Sequence, residues 1–144
     1  MSQAAKQGQI VDMLASTPLF SSVKRKQVQA IASSGKELTY ESGQTLIKEG
    51  DKGIGFFLIL SGGVEVRLKG KLLSKLGPGD FFGEMALFAD EPRSADVTAM
   101  KPTVCFGLTQ WAFMGLVRSQ PEIAVGVMKE LARRLRGTNK AFTE

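Results

Sequence analysis

The chain has 144 residues, 43% of them hydrophobic and 23% charged, which fits one globular domain with a core and excludes two ordinary ones. Its longest apolar stretch, Gly53 to Leu60, is too short to cross a bilayer, and no charged leader followed by an apolar core opens the chain, so a cytoplasmic location is expected. A net charge of +5 is compatible with an anionic ligand, nucleic acid or an acidic membrane surface, whereas the single cysteine excludes an internal disulfide.

Residues 1–34 read as helical. Ile10, Val11 and Leu14 lead to a break at Thr17-Pro18. A second helix follows with Ser22 as its cap and Val28, Ile31 and Ala32 on one face. From Gly35 to Gly83 the texture changes, for 11 of the 16 glycines fall there. Between them lie short runs of β-formers at Glu37–Tyr40, Thr45–Lys48, Phe56–Leu60, Val64–Leu68 and Lys71–Leu76, with two more at Ala95–Ala99 and Thr103–Leu108. Cys105, in an apolar run, reads as a small buried residue.

Residues 109–144 are helical again. Thr109 is placed to cap a short helix carrying Trp111, Phe113, Met114 and Val117, and Pro121 suits the first turn of another. In that last helix Ala124, Met128, Leu131 and Leu135 form an apolar stripe, expected to pack on the chain's own core, with a homodimer through this helix as the alternative. Helices, a glycine-punctuated β block and helices again make an α+β order, with the strands in a sandwich or barrel-like roll.

The chemistry concentrates in Phe82-Gly83-Glu84-Met85-Ala86-Leu87, a short spacer, and Pro92-Arg93-Ser94-Ala95. A glycine and small residues let backbone approach a ligand, and the start of a helical turn leaves N–H groups free for an anion. Arginine offers a planar fork of donors that fits phosphate oxygens. A carboxylate only accepts hydrogen bonds, so Glu84 suits a sugar hydroxyl and would repel phosphate. An isolated Glu and Arg at this separation would form a structural ion pair. The residues around these two favour a ribose phosphate instead.

Those residues resemble the phosphate-binding cassette of the cyclic nucleotide-binding domain family, the type found in catabolite activator protein, the regulatory subunits of cAMP-dependent kinase and bacterial cyclic nucleotide-gated channels. The resemblance covers nearly the whole chain, including Pro18-Leu19-Phe20, Gly43, Glu49-Gly50-Asp51, Ser61-Gly62 and Leu76-Gly77-Pro78-Gly79-Asp80. It implies a single domain over 1–144: N-terminal helices (1–34), an antiparallel β-roll of the jelly-roll or double-stranded β-helix kind (35–108) holding the cassette (82–95), and C-terminal B/C-type helices (109–144). It also implies the ligand, cAMP, with cGMP the alternative that Ser94 does not separate. Arg93 would pair with the cyclic phosphate, the Met85 and Ala86 N–H groups would complete the cradle, and Gly83 would permit close approach. Glu84 would take the ribose 2′-hydroxyl, Ser94 would add a hydroxyl contact, Val66 would pack on the purine, and Arg134 or Leu135 would form a lid.

No cofactor or metal is expected, and no catalysis. Histidine is absent, as are Cys-x-x-Cys, Gly-x-Gly-x-x-Gly, phosphate-loop and Gly-x-Ser-x-Gly motifs, while Asp90 and Glu91 are adjacent acids of the solvated kind. Only Gly137 to Glu144 follows the last apolar stripe, too little for a helix-turn-helix, so DNA binding would need a further domain. A sensor fragment of a transcriptional regulator or channel, and an interaction module that binds no nucleotide, remain the alternatives. The output partner is not encoded in any motif.

Overall fold

The computed structural model describes residues 3–48, 50, 55–88 and 95–143. In them the chain forms two compact units, one of residues 34–113 and one combining residues 1–33 with 114–144. The α+β order holds, with two four-stranded antiparallel sheets.

The first sheet has the order β1-β8-β3-β6, where β1 is Lys36–Tyr40, β3 Gly55–Ser61, β6 Phe81–Phe82 and β8 Thr103–Thr109. The second has the order β2-β7-β4-β5, where β2 is Thr45–Ile47, β4 Val64–Leu68, β5 Lys71–Leu76 and β7 Asp96–Ala99. The sequence placed seven of these eight strands to within a residue or two; the two-residue β6 is the addition.

Alternation along the strands builds the core between the sheets. Phe57, Ile59, Phe82 and Cys105 of the first sheet cluster with Ile47, Val64 and Val97 of the second. Phe57 lies opposite Phe82, their rings stacked with centroids 5.0 Å apart. β3 is buried from Gly55 to Ile59, and a strand covered on both faces reads as a continuous apolar run.

In the helical unit, α1 (Gln3–Ser16) ends where predicted, and a single 3₁₀ turn (Pro18–Phe20) buries Leu19 and Phe20. α2 (Arg25–Ser34) buries Val28, Ile31 and Ala32 as expected, but it starts three residues beyond Ser22. The Ser22 hydroxyl is not a cap. It donates to Glu130 Oε1 at 3.2 Å instead.

Two C-terminal helices follow, α3 (Gln110–Ser119) and α4 (Glu122–Thr143). Thr109 caps α3 as predicted, its Oγ1 accepting the Ala112 N–H at 3.0 Å. Of the apolar residues assigned to α3, Phe113 is buried and Trp111 is 85% exposed.

The buried face of α4 differs from the predicted stripe. Met128 and Leu135 are exposed, while Ile123, Val127 and Glu130 are buried. Ile123 and Val127 take the buried face, and Glu130, a turn further on, goes in with them. A carboxylate is tolerated inside only with hydrogen-bonding partners, and Glu130 has the Ser22 hydroxyl and Arg133 Nη1, the latter at 3.0 Å. Gly126 allows the close approach, since a Cβ there would come within 2.8 Å of Val23 Cγ2 and 3.0 Å of the Ser22 carbonyl.

The β3–β4 connection is closely packed. Gly62 has φ +94°, and a Cβ on it would lie 2.5 Å from the Pro102 carbonyl oxygen and 2.6 Å from Thr103 Cα. Both obstacles are backbone. Gly62→Ala is therefore expected to destabilise the chain by about 1–3 kcal/mol through overpacking and an unfavourable φ, read as a lower urea midpoint at unchanged slope.

Candidate functional site

The cassette is positioned by β3. Ile59 gives both backbone groups to the turn before β6: its N–H donates to the Asp80 carbonyl and its carbonyl accepts the Gly79 N–H, both at 2.9 Å. Asp80 closes the turn on itself, its Oδ2 accepting the Gly77 N–H at 2.8 Å. β6 then pairs with β3 through Leu58↔Phe81 and Phe57↔Phe82, which points the chain at Gly83.

Gly83 has φ +79°, a left-handed conformation that side chains disfavour. It turns the chain from strand into the 3₁₀ turn Glu84–Leu87. Leu87 is fully buried and anchors this turn in the core. The Ala86 N–H donates to the Gly83 carbonyl at 3.0 Å. The leading N–H groups of such a turn, those of Glu84 and Met85, have no acceptor within it.

Glu84 opens the turn and is half-buried. Among the described residues no hydrogen bond or ion pair engages its carboxylate. Arg93 and Ser94 lie outside the described residues.

Val66 sits in the second sheet opposite Val97 on one side and Ser74 on the other. It is half-buried and packs on the core cluster, as Leu46 and Leu76 do. Leu46 and Leu76 were not singled out in the sequence. The register carried a signal for one of them, since Leu76 pairs with Val64. Arg134 and Leu135 are exposed on α4.

The same cluster holds Cys105, fully buried, with its thiol pushed up to about 11 by desolvation. Tyr40 beside it is raised above the ordinary phenol range, by burial first and the Cys105 charge second. Elsewhere in the strand unit, a cavity of about 520 Å³ is lined by Lys36, Leu38, Gly107, Trp111 and Ala112 among others, and by none of the cassette residues. Among the described residues no group of three or more cysteine, aspartate or glutamate side chains is placed to hold a metal ion. No helix among them is long and apolar enough to cross a membrane.

Comparison with known proteins agrees with this architecture. The family model of the cyclic nucleotide-binding domain matches residues 37–120, more than half of the chain. The chain belongs to that family. It is 29% identical, over 92% of its length, to a CRP-like cAMP-activated global transcriptional regulator of Mycobacterium tuberculosis. Over 66% of its length it is 39% identical to a cGMP-dependent protein kinase of Eimeria tenella. It spans 62% of the first relative and 10% of the second, less than two thirds of either. Among solved structures, the N-terminal domain of a transcriptional regulator from Streptomyces coelicolor A3(2) superposes with a TM-score of 0.86 at 31% identity, covering 90% of this chain and 96% of that one.

Burial of Cys105 has a measurable consequence. Its thiol stays protonated in the folded chain up to about 11, while the unfolded thiol ionises near its ordinary value of 9.0. Unfolding then releases a proton that folding retains, so the stability contributed by the neutral thiol is complete below pH 9.0 and declines as pH rises toward about 11. Ellman's reagent at about pH 8 is expected to label Cys105 only as fast as the core opens, and immediately in denaturant.

Proposed function

We propose that the chain is a non-catalytic sensor that binds cAMP at the cassette. The observation that carries this reading is the Gly83–Glu84 turn, held on β3 and built from the residue types that a ribose phosphate needs. Glu84 accepts from the ribose 2′-hydroxyl, and the guanidinium of Arg93 takes the cyclic phosphate in a forked pair. The Met85 N–H joins as a donor at the start of the turn. The Ala86 N–H, already given to Gly83, serves the phosphate as a shared donor. Gly83 keeps the backbone bare enough for close approach, and Ser94 adds its hydroxyl. Val66, half-buried against apolar neighbours, offers the purine a nonpolar face.

The relative that matches 92% of the chain is named for cAMP, which supports cAMP over cGMP; the kinase named for cGMP matches 66%. Calorimetric titration with both nucleotides tests the order, with tighter cAMP binding expected. A chain that takes up neither at millimolar concentration overturns the reading.

Arg93→Ala removes one side of a desolvated charge pair, a loss of about 3–5 kcal/mol, or roughly 10²- to 10³-fold in affinity. The variant is expected to keep its melting temperature while losing that affinity in calorimetry. Wild-type binding would take Arg93 out of the site.

Transmission runs through α4 in this proposal, with Arg134 and Leu135 closing on the base. Binding drives such a movement only through contacts better made in the closed state. Hydrogen exchange over residues 121–136 is expected to slow on nucleotide addition; unchanged exchange with ligand bound argues against a lid.

A further inference from the structure

The β4–β5 hairpin carries features that nucleotide binding does not use. β5 is the outer strand of its sheet, and Leu68, Leu72 and Leu73 at the tip are all exposed. Lys69, Lys71 and Lys75 stand among them, with no ion-pair partner among the described residues. Arg67 and Glu65 are bonded to each other, Arg67 Nη2 lying 3.0 Å from Glu65 Oε2, so the three lysine charges are uncompensated within the hairpin.

The tip is also preorganised. Arg67 Nη1 donates to the Gly70 carbonyl at 3.1 Å, tying the turn to its own strand. Lys69 has φ +49°, and it is the one residue other than glycine with a left-handed backbone among the described residues. Asparagine or glycine adopts this turn at lower cost. A lysine there spends backbone strain to place a cation at the apex.

Edge protection explains part of this, since lysines and the bulge between Val66 and Arg67 discourage strand pairing. It does not explain the leucines, which raise the hazard that the lysines reduce. The register shows how they are disposed. Leu68 pairs with Lys71 and Arg67 with Leu72, so Leu68 and Leu72 project from opposite faces of the ribbon. A protein partner reads one face of a ribbon. A lipid surface takes the tip end-on and wets both faces, with cations around the apolar apex at headgroup level.

We propose that the β4–β5 tip docks on an anionic bilayer surface, Leu68, Leu72 and Leu73 entering the interface while Lys69, Lys71 and Lys75 meet acidic headgroups. Co-sedimentation tests it, using the whole chain with vesicles of phosphatidylcholine alone or mixed with phosphatidylglycerol. Binding is expected only to the mixed vesicles, weakening as salt is raised. The double variants Leu72→Asp/Leu73→Asp and Lys69→Glu/Lys71→Glu are each expected to lower partitioning by about tenfold or more. All four positions are exposed, so circular dichroism and cAMP titration should be unchanged and report intact folding. Absence of binding to mixed vesicles, or variants that bind like the parent chain, overturns the proposal. So does self-association in sedimentation equilibrium that the leucine variant abolishes, which would assign the tip to a second copy.

Discussion

Both backbone groups of Ile59 are committed to one turn, and the cassette hangs from that clip. The residue lies in β3, whose other edge is occupied by β8, so the turn is fastened to a strand buried over five consecutive residues. From there the chain has little freedom before the cassette: the two residues of β6, the second stacked on Phe57, then Gly83. The rigidity of the core is thus passed to the residues proposed to touch ligand. Placing a binding group on a loop held by a stiff scaffold is the usual economy of binding sites.

Much of this was legible in the order of residues. Glycines at the connections separated runs of β-formers, and the strands fell between them because tight antiparallel turns need conformations that few other residues supply. β6 escaped because two residues have no period, and it exists only through pairing with Phe57 and Leu58. The cassette was proposed from residue types and the resemblance they carry; of it the fold shows the Gly83 turn and Glu84, while Arg93 and Ser94 lie outside the described residues. The inward place of Val66 needed the register, which is a property of partners rather than of its own segment.

The helices show the opposite case. Reading apolar periodicity on α4 selects Ala124, Met128, Leu131 and Leu135, because any such reading treats glutamate as outward-facing. The fold turns the helix by one residue so that Ile123 and Val127 go in, and Glu130 goes in with them because a serine far away in sequence supplies a hydroxyl. Ser22 was read as a cap by the same local logic and was taken by the same distant partner. Local rules fail together where a long-range polar contact is made.

Trp111 has a practical implication. It is the sole indole in the chain, and it stands almost wholly in water while the protein is folded. Its emission therefore starts near that of a free indole and has little room to shift when the core melts. Intrinsic fluorescence would underreport denaturation here, even though the same ring is well placed to sense a quencher or a neighbour arriving from outside.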